Sequence, residues 1–75
     1  RSLLSKGIIG VKGEFERGAT LQLVDQKGKI IARGITRYCG EALGLIAGKH
    51  SDEIESVLGY DYGDAIVHRN DMVVL

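Results

Sequence analysis

The 75-residue chain has no proline, one cysteine and one methionine, and its ten basic side chains cancel ten acidic ones. The single cysteine, Cys39, excludes a disulfide within the chain. No apolar run approaches the length of a membrane span or a signal peptide, so the expected setting is the reducing cytoplasm, with no membrane partner. The zero net charge excludes the whole-domain field of a strong nucleic-acid binder, and any RNA contact has to be a local patch. Without proline, turns and bulges fall to eleven glycines, a density that suits a small closed barrel. Position 1 is Arg1 and the only methionine is Met72, from which we expect a piece of a larger protein.

What is present is enough for one domain spanning residues 1–75. A hydrophobic share of 44%, mainly Ile, Leu, Val and Ala, suits a folded core and argues against disorder. A chain this short buries a small fraction of its surface, and its core supplies roughly 3–5 kcal/mol at most.

Two segments alternate with period two. Thr20 to Asp25 sends Leu21 and Leu23 to one side, and Ile30 to Tyr38 sends Ile30, Ala32, Gly34, Thr36 and Tyr38 to one face. Gln26-Lys27-Gly28 between them reads as a hairpin turn, with Gly28 free to take positive φ. Gly7 to Val11 and Met72 to Leu75 are apolar runs without alternation, predicted as strands covered on both faces, and Ala65 to His68 is a weaker fifth strand. In the middle the period changes to about 3.6. Leu43, Ile46 and Ala47, then Ile54, Val57 and Leu58, predict two short helices. Gly48 ends the first as its left-handed residue, Ser51 or Asp52 caps the second with Glu55 closing a capping-box-like pair with Asp52, and Gly59 stops it. The expected fold is α+β: a small mixed, mostly antiparallel β pseudobarrel with two short helices.

Residues 46–64, IAGKHSDEIESVLGYDYGD, concentrate a Gly-Lys, a histidine, carboxylates and tyrosines. A phosphate-binding loop needs a glycine five positions before its Gly-Lys and a hydroxyl after it, and here those positions hold Leu43 and His50. No GxGxxG is present, and a helix C-terminus at Gly48 has the wrong dipole sign for an anion. Zinc needs three or four nitrogen or sulfur ligands, and the chain offers only Cys39, His50 and His68, far apart in sequence. Cys39 as a nucleophile would need one of those histidines as its base, whereas a buried thiol acting as a small hydrophobe is the simpler reading. Tyr60-Asp61-Tyr62 fits the edge of a core better than a base-stacking platform. GKHSDEIE is therefore read as a helix stop, a cap and a charged first turn, and no catalytic, metal or cofactor-binding residue is assigned. Arg33 and Arg37 alternate with Ile31 and Ile35 as a basic stripe. With Lys6, Lys12 and Lys49 they are the candidate nucleic-acid-binding residues.

The segments GEFERG, IARGITRY, LIAGKHSDEIESVLGYDYGDAIVHRNDMVVL and the opening SLLSKGI resemble the PUA domains that close the chains of the bacterial glutamate 5-kinase family. The resemblance covers essentially the whole sequence and implies a PUA pseudobarrel. It also implies a parent enzyme that transfers the γ-phosphoryl of ATP, with magnesium, to the side-chain carboxylate of L-glutamate in the first step of proline biosynthesis. That chemistry would reside in an amino-acid-kinase domain earlier in the same polypeptide, in a homo-oligomeric parent. ATP and magnesium belong there, and no cofactor is expected on this segment. Ser5 stands where the family pattern has proline, which is expected to loosen the lead-in to the first strand, and Cys39 stands where small polar residues are usual. In RNA-modifying enzymes PUA domains bind structured RNA partly through a glycine-containing loop, but the corresponding loop here, with Lys12, Glu14, Glu16 and Arg17, has cancelling charges. The expectation is a non-catalytic accessory domain that tunes activity, feedback or assembly. An RNA-binding module is the alternative, and a small stand-alone enzyme built on Cys39 is a remote third.

Overall fold

The computed structural model describes residues 2–75. Along the chain lie β1 (Leu3–Leu4), a 3-10 turn (Ser5–Gly7), β2 (Thr20–Val24), β3 (Ile30–Thr36), α1 (Gly40–Ile46), a second 3-10 turn (Ser51–Glu53), α2 (Ile54–Leu58) and β4 (Ala65–Val74). The strands make one sheet in the order β1-β4-β3-β2, every pairing antiparallel, curled into a half-barrel against the two helices.

The β2–β3 hairpin forms where alternation places it. Leu21 pairs with Gly34 and Leu23 with Ala32 on the inner face, while Gln22 pairs with Arg33 on the outer one. Asp25 closes the turn: its carboxylate accepts the N–H groups of Lys27 and Lys29, each at 2.9 Å, and Gly28 takes φ +85°. The register slips between Leu23 and Val24, so Val24 pairs with Ile30 and Ile30 is exposed instead of continuing the buried face.

Both unalternating runs differ from the reading above. Gly7–Val11 is not a strand, because Ser5 has already turned the chain: its carbonyl accepts Ile8 N–H at 3.1 Å. The edge strand is Leu3–Leu4, paired with Val67 and Ala65, while Ile8 and Val11 pack on the core from a loop and Ile9 faces solvent. Ser5 anchors this corner instead of loosening it. It is fully buried, its Oγ donates to Lys49 O at 2.7 Å, and its carbonyl also accepts Gly48 N–H at 2.8 Å. At the other end, Ala65–His68 and Met72–Leu75 belong to one strand. The polar residues His68 to Asp71 bulge between them, since Thr36 pairs with Val67 and Gly34 with Met72, two steps on β3 against five on β4. A Cβ on Gly34 would run into the Val67 side chain and lie 3.1 Å from Asp71 O, so this crossing requires glycine. The end of β4 is also not covered on both faces, for Val73, Val74 and Leu75 are exposed.

The helices keep their expected faces only in part. Ala42, Leu43, Ile46 and Ile54 are buried with Tyr38, Ile66 and Val67 in one core, Leu58 packs against it, and Val57 faces outward. Gly48 and Gly59 take φ +80° and +83° just past the two helices. The second helical segment is capped at His50, one residue before Ser51 and two before Asp52, and the expected Asp52–Glu55 pair is replaced by His50 and Glu53. The Glu53 carboxylate accepts His50 N–H at 3.0 Å, the returning half of a capping box, while Glu53 N–H bonds the His50 carbonyl at 3.0 Å as in a 3-10 turn.

Candidate functional site

The densest arrangement of polar and aromatic groups lies past the end of β3. Thr36 sets it up: its hydroxyl donates to Tyr38 O at 2.7 Å and accepts Tyr38 N–H at 3.1 Å, bending the chain so that the Tyr38 ring enters the core. The ring is fully buried, and its hydroxyl emerges at the 60–63 segment. There it accepts Tyr62 N–H at 2.8 Å and donates to Gly63 O at 2.9 Å, with Asp61 Oδ1 at 3.1 Å as the alternative acceptor. Asp61 Oδ1 also accepts Gly63 N–H at 2.7 Å. One phenol thus holds a loop that has no regular structure of its own.

Around it the rings of Tyr38, Tyr60 and Tyr62 cluster at centroid distances of 4.9 to 6.5 Å. The Arg17 guanidinium lies over Tyr62, 3.8 Å from its centroid, and Arg37 reaches within 3.7 Å of where a Cβ on Gly63 would stand. Burial raises the Tyr38 phenol above its ordinary value of 10.0, the Asp61 carboxylate adds to the rise, and the bond from Tyr62 N–H opposes it. Tyr60 moves the same way, through desolvation first and then its neighbours Cys39, Tyr62 and Glu41. Both phenols are therefore neutral at physiological pH. They offer aromatic faces and hydrogen bonds for packing or binding, and no general base near neutrality.

The five basic candidates do not form one patch. Lys6 and Lys49 share one corner, joined through Ser5. Lys12 is exposed in the loop that precedes β2. Arg33 stands on the outer sheet face between Ile31 and Ile35, and Arg37 is half-buried beside Gly63. Arg17, read in the sequence only as part of a loop with cancelling charges, and Tyr62, read as a core edge, join the Arg37 end. Their contact spans 45 positions of chain and leaves no local signature.

Gly48-Lys49 does not fit a nucleotide phosphate. Gly48 N–H is spent on Ser5 O and Lys49 N–H on Ile46 O at 3.0 Å, so neither amide is free to cradle an anion. Among the described residues no three His, Cys, Asp or Glu side chains come together to hold a metal ion. Cys39 is half-buried ahead of α1, where its carbonyl accepts Leu43 N–H at 2.9 Å, and His68 Nδ1 accepts Asn70 N–H at 3.1 Å. No described helix is long and apolar enough to cross a membrane.

Comparison with known proteins identifies the architecture. The sequence profile of the PUA domain family matches residues 1–58. The chain belongs to the PUA family. The match stops at Leu58, and β4 then completes the PUA sheet by inserting between β1 and β3. Among curated relatives, the glutamate 5-kinase of Shewanella oneidensis is 99% identical over 75 residues and that of Shewanella amazonensis 73%. The glutamate 5-kinase of Vibrio vulnificus is 51% identical over 74 residues. This PUA chain is covered completely by the two Shewanella proteins and to 99% by the Vibrio one, and it spans 20% of the length of each.

Proposed function

We propose that this PUA domain is the C-terminal accessory domain of a glutamate 5-kinase. The parent would be a cytoplasmic homo-oligomer that uses ATP and magnesium to phosphorylate the side-chain carboxylate of L-glutamate, the first step of proline biosynthesis. The observation that carries this reading is full coverage of the domain by relatives of that name, of whose length it makes up one fifth. The chemistry of its own residues agrees, because the raised phenols of Tyr38 and Tyr60 are neutral at working pH and the Gly-Lys amides are already bonded. In this role the domain tunes activity, inhibition by proline or subunit assembly, and the amino-acid-kinase domain of the same polypeptide transfers the phosphoryl group. Deleting residues 1–75 from the full-length enzyme and assaying glutamyl phosphate formation tests this. The truncated enzyme should keep turnover while its response to proline or its assembly changes. Complete loss of turnover in a folded, correctly assembled enzyme refutes it.

A second reading, RNA binding, is favoured by one feature: Arg17 lies over the half-exposed Tyr62 ring, Tyr60 stands beside it and Arg37 reaches the adjoining Gly63, a grouping of cations with stacking surfaces that suits the loops of a structured RNA. Lys6, Lys12, Arg33 and Lys49 would add phosphate contacts from their separate positions. It predicts affinity for structured RNA that falls steeply between low and high salt as counterions are released. Failure to bind at low salt removes it.

A further inference from the structure

The helices and the loop of residues 8–17 cover one face of the sheet and leave the other bare. On the bare face Ile31 and Ile35 flank Arg33 along β3, and Val73 stands directly across from Arg33 in β4. Leu75 N–H bonds Ile31 O at 2.9 Å, which brings Leu75 alongside. Val73 and Leu75 are each 63% exposed, and Ile31 and Ile35 43%. Arg33, Ile35, Val73 and Leu75 line one shallow groove with Thr20, Gly34 and Asp71, and Ile31 lies next to it on the same strand. Four large aliphatic side chains on neighbouring strands, with a cation at their centre, mark an interaction surface.

We propose that this face seats the PUA domain against the remaining polypeptide of its own chain, on an apolar surface that places a carboxylate opposite Arg33. The proposal rests on the accessory-domain reading above, which makes the domain one fifth of a longer protein. The tether decides between occupants. The domain makes up 20% of the length of relatives that cover it fully, so polypeptide of the same chain stands beside this face at millimolar effective concentration, which a second copy in dilute solution does not reach.

Thiol accessibility in the full-length enzyme tests the proposal. Val73→Cys and Ile35→Cys report on the sheet face, and Leu45→Cys and Val57→Cys report on the exposed side of the helices. Labelling by iodoacetamide is read peptide by peptide in a mass spectrometer, so other cysteines do not interfere. The sheet-face thiols should react at least about tenfold more slowly than the helix-side thiols, independently of enzyme concentration. Equal rates overturn the proposal. Protection that disappears on dilution, as subunits separate, also overturns it, because the occupant is then a second copy. These rates do not depend on whether deletion of the domain alters turnover, so failure of the docking face and failure of the accessory role are distinguishable.

Discussion

Replacing Tyr38 by Phe removes one oxygen and keeps the buried ring. That oxygen accepts Tyr62 N–H at 2.8 Å and donates to Gly63 O at 2.9 Å. Each hydrogen bond contributes a net of about 1 kcal/mol, and the partners left behind lie at a loop water can reach, so the loss is about 2 kcal/mol and not the full desolvation cost of two orphaned groups. In a domain of this size that lowers Tm by about 8–16 °C. Release of the 60–63 loop should also free Tyr62 from Arg17, which near-ultraviolet circular dichroism of the tyrosines would register. The sign of the pH dependence follows from the raised phenol pKa. The folded form holds its proton above pH 10.0 while the unfolded chain releases it, so this stabilisation is complete below about pH 10 and is lost as pH rises through the folded value. Urea unfolding of wild type and Tyr38→Phe between pH 7 and 11 measures both effects. A loss below about 0.5 kcal/mol at pH 7, with an unchanged denaturant slope, would refute the claim that this hydroxyl holds the loop.

Other substitutions test other joints. Gly34→Ala should destabilise by about 1–3 kcal/mol in urea unfolding, because the new methyl meets the Val67 side chain where β4 bulges. Ser5→Ala removes the buried bond to Lys49 O and should cost about 1–2 kcal/mol in the same assay, whereas a loosening role for Ser5 predicts no loss. Gly59→Ala forces a side chain into φ +83° and should lower stability by about 1 kcal/mol, seen as an earlier thermal midpoint. Arg17→Ala removes only the cation over the Tyr62 ring and should cost about 0.5–1 kcal/mol.

Local features were legible because their causes are local. Alternation about a glycine turn set the β2–β3 hairpin, and the change of period marked both helices, with Gly48 and Gly59 at their ends. The inward face of Tyr38 followed from the same alternation, continued past β3. Misreadings arose wherever a distant partner decides. Glycine-bounded apolar residues 7–11 looked like a strand until the Ser5 carbonyl, shared between Ile8 and Gly48, turned the chain before them. The polar stretch Arg69 to Asp71 fell between two expected strands, yet the sheet spans it as part of a bulge because backbone pairing with β3 resumes at Met72. The candidate site behaved the same way. Charge selected Lys6, Lys12, Arg33, Arg37 and Lys49, but sequence spacing does not specify which way a side chain points once strands and loops fold over one another, and only Lys6 and Lys49 come out at the same corner.

The order of residues by itself determined the β2–β3 hairpin, the two helices and a core of aliphatic side chains around one tyrosine, because hydrophobic periodicity and glycine punctuation act over a few neighbouring positions. Only the tertiary structure decided that one phenol holds the 60–63 loop, that Arg17 lies on Tyr62 and that an aliphatic face is left bare. Those outcomes depend on contacts between residues that lie far apart along the chain, and no local pattern encodes the distance between them once it folds.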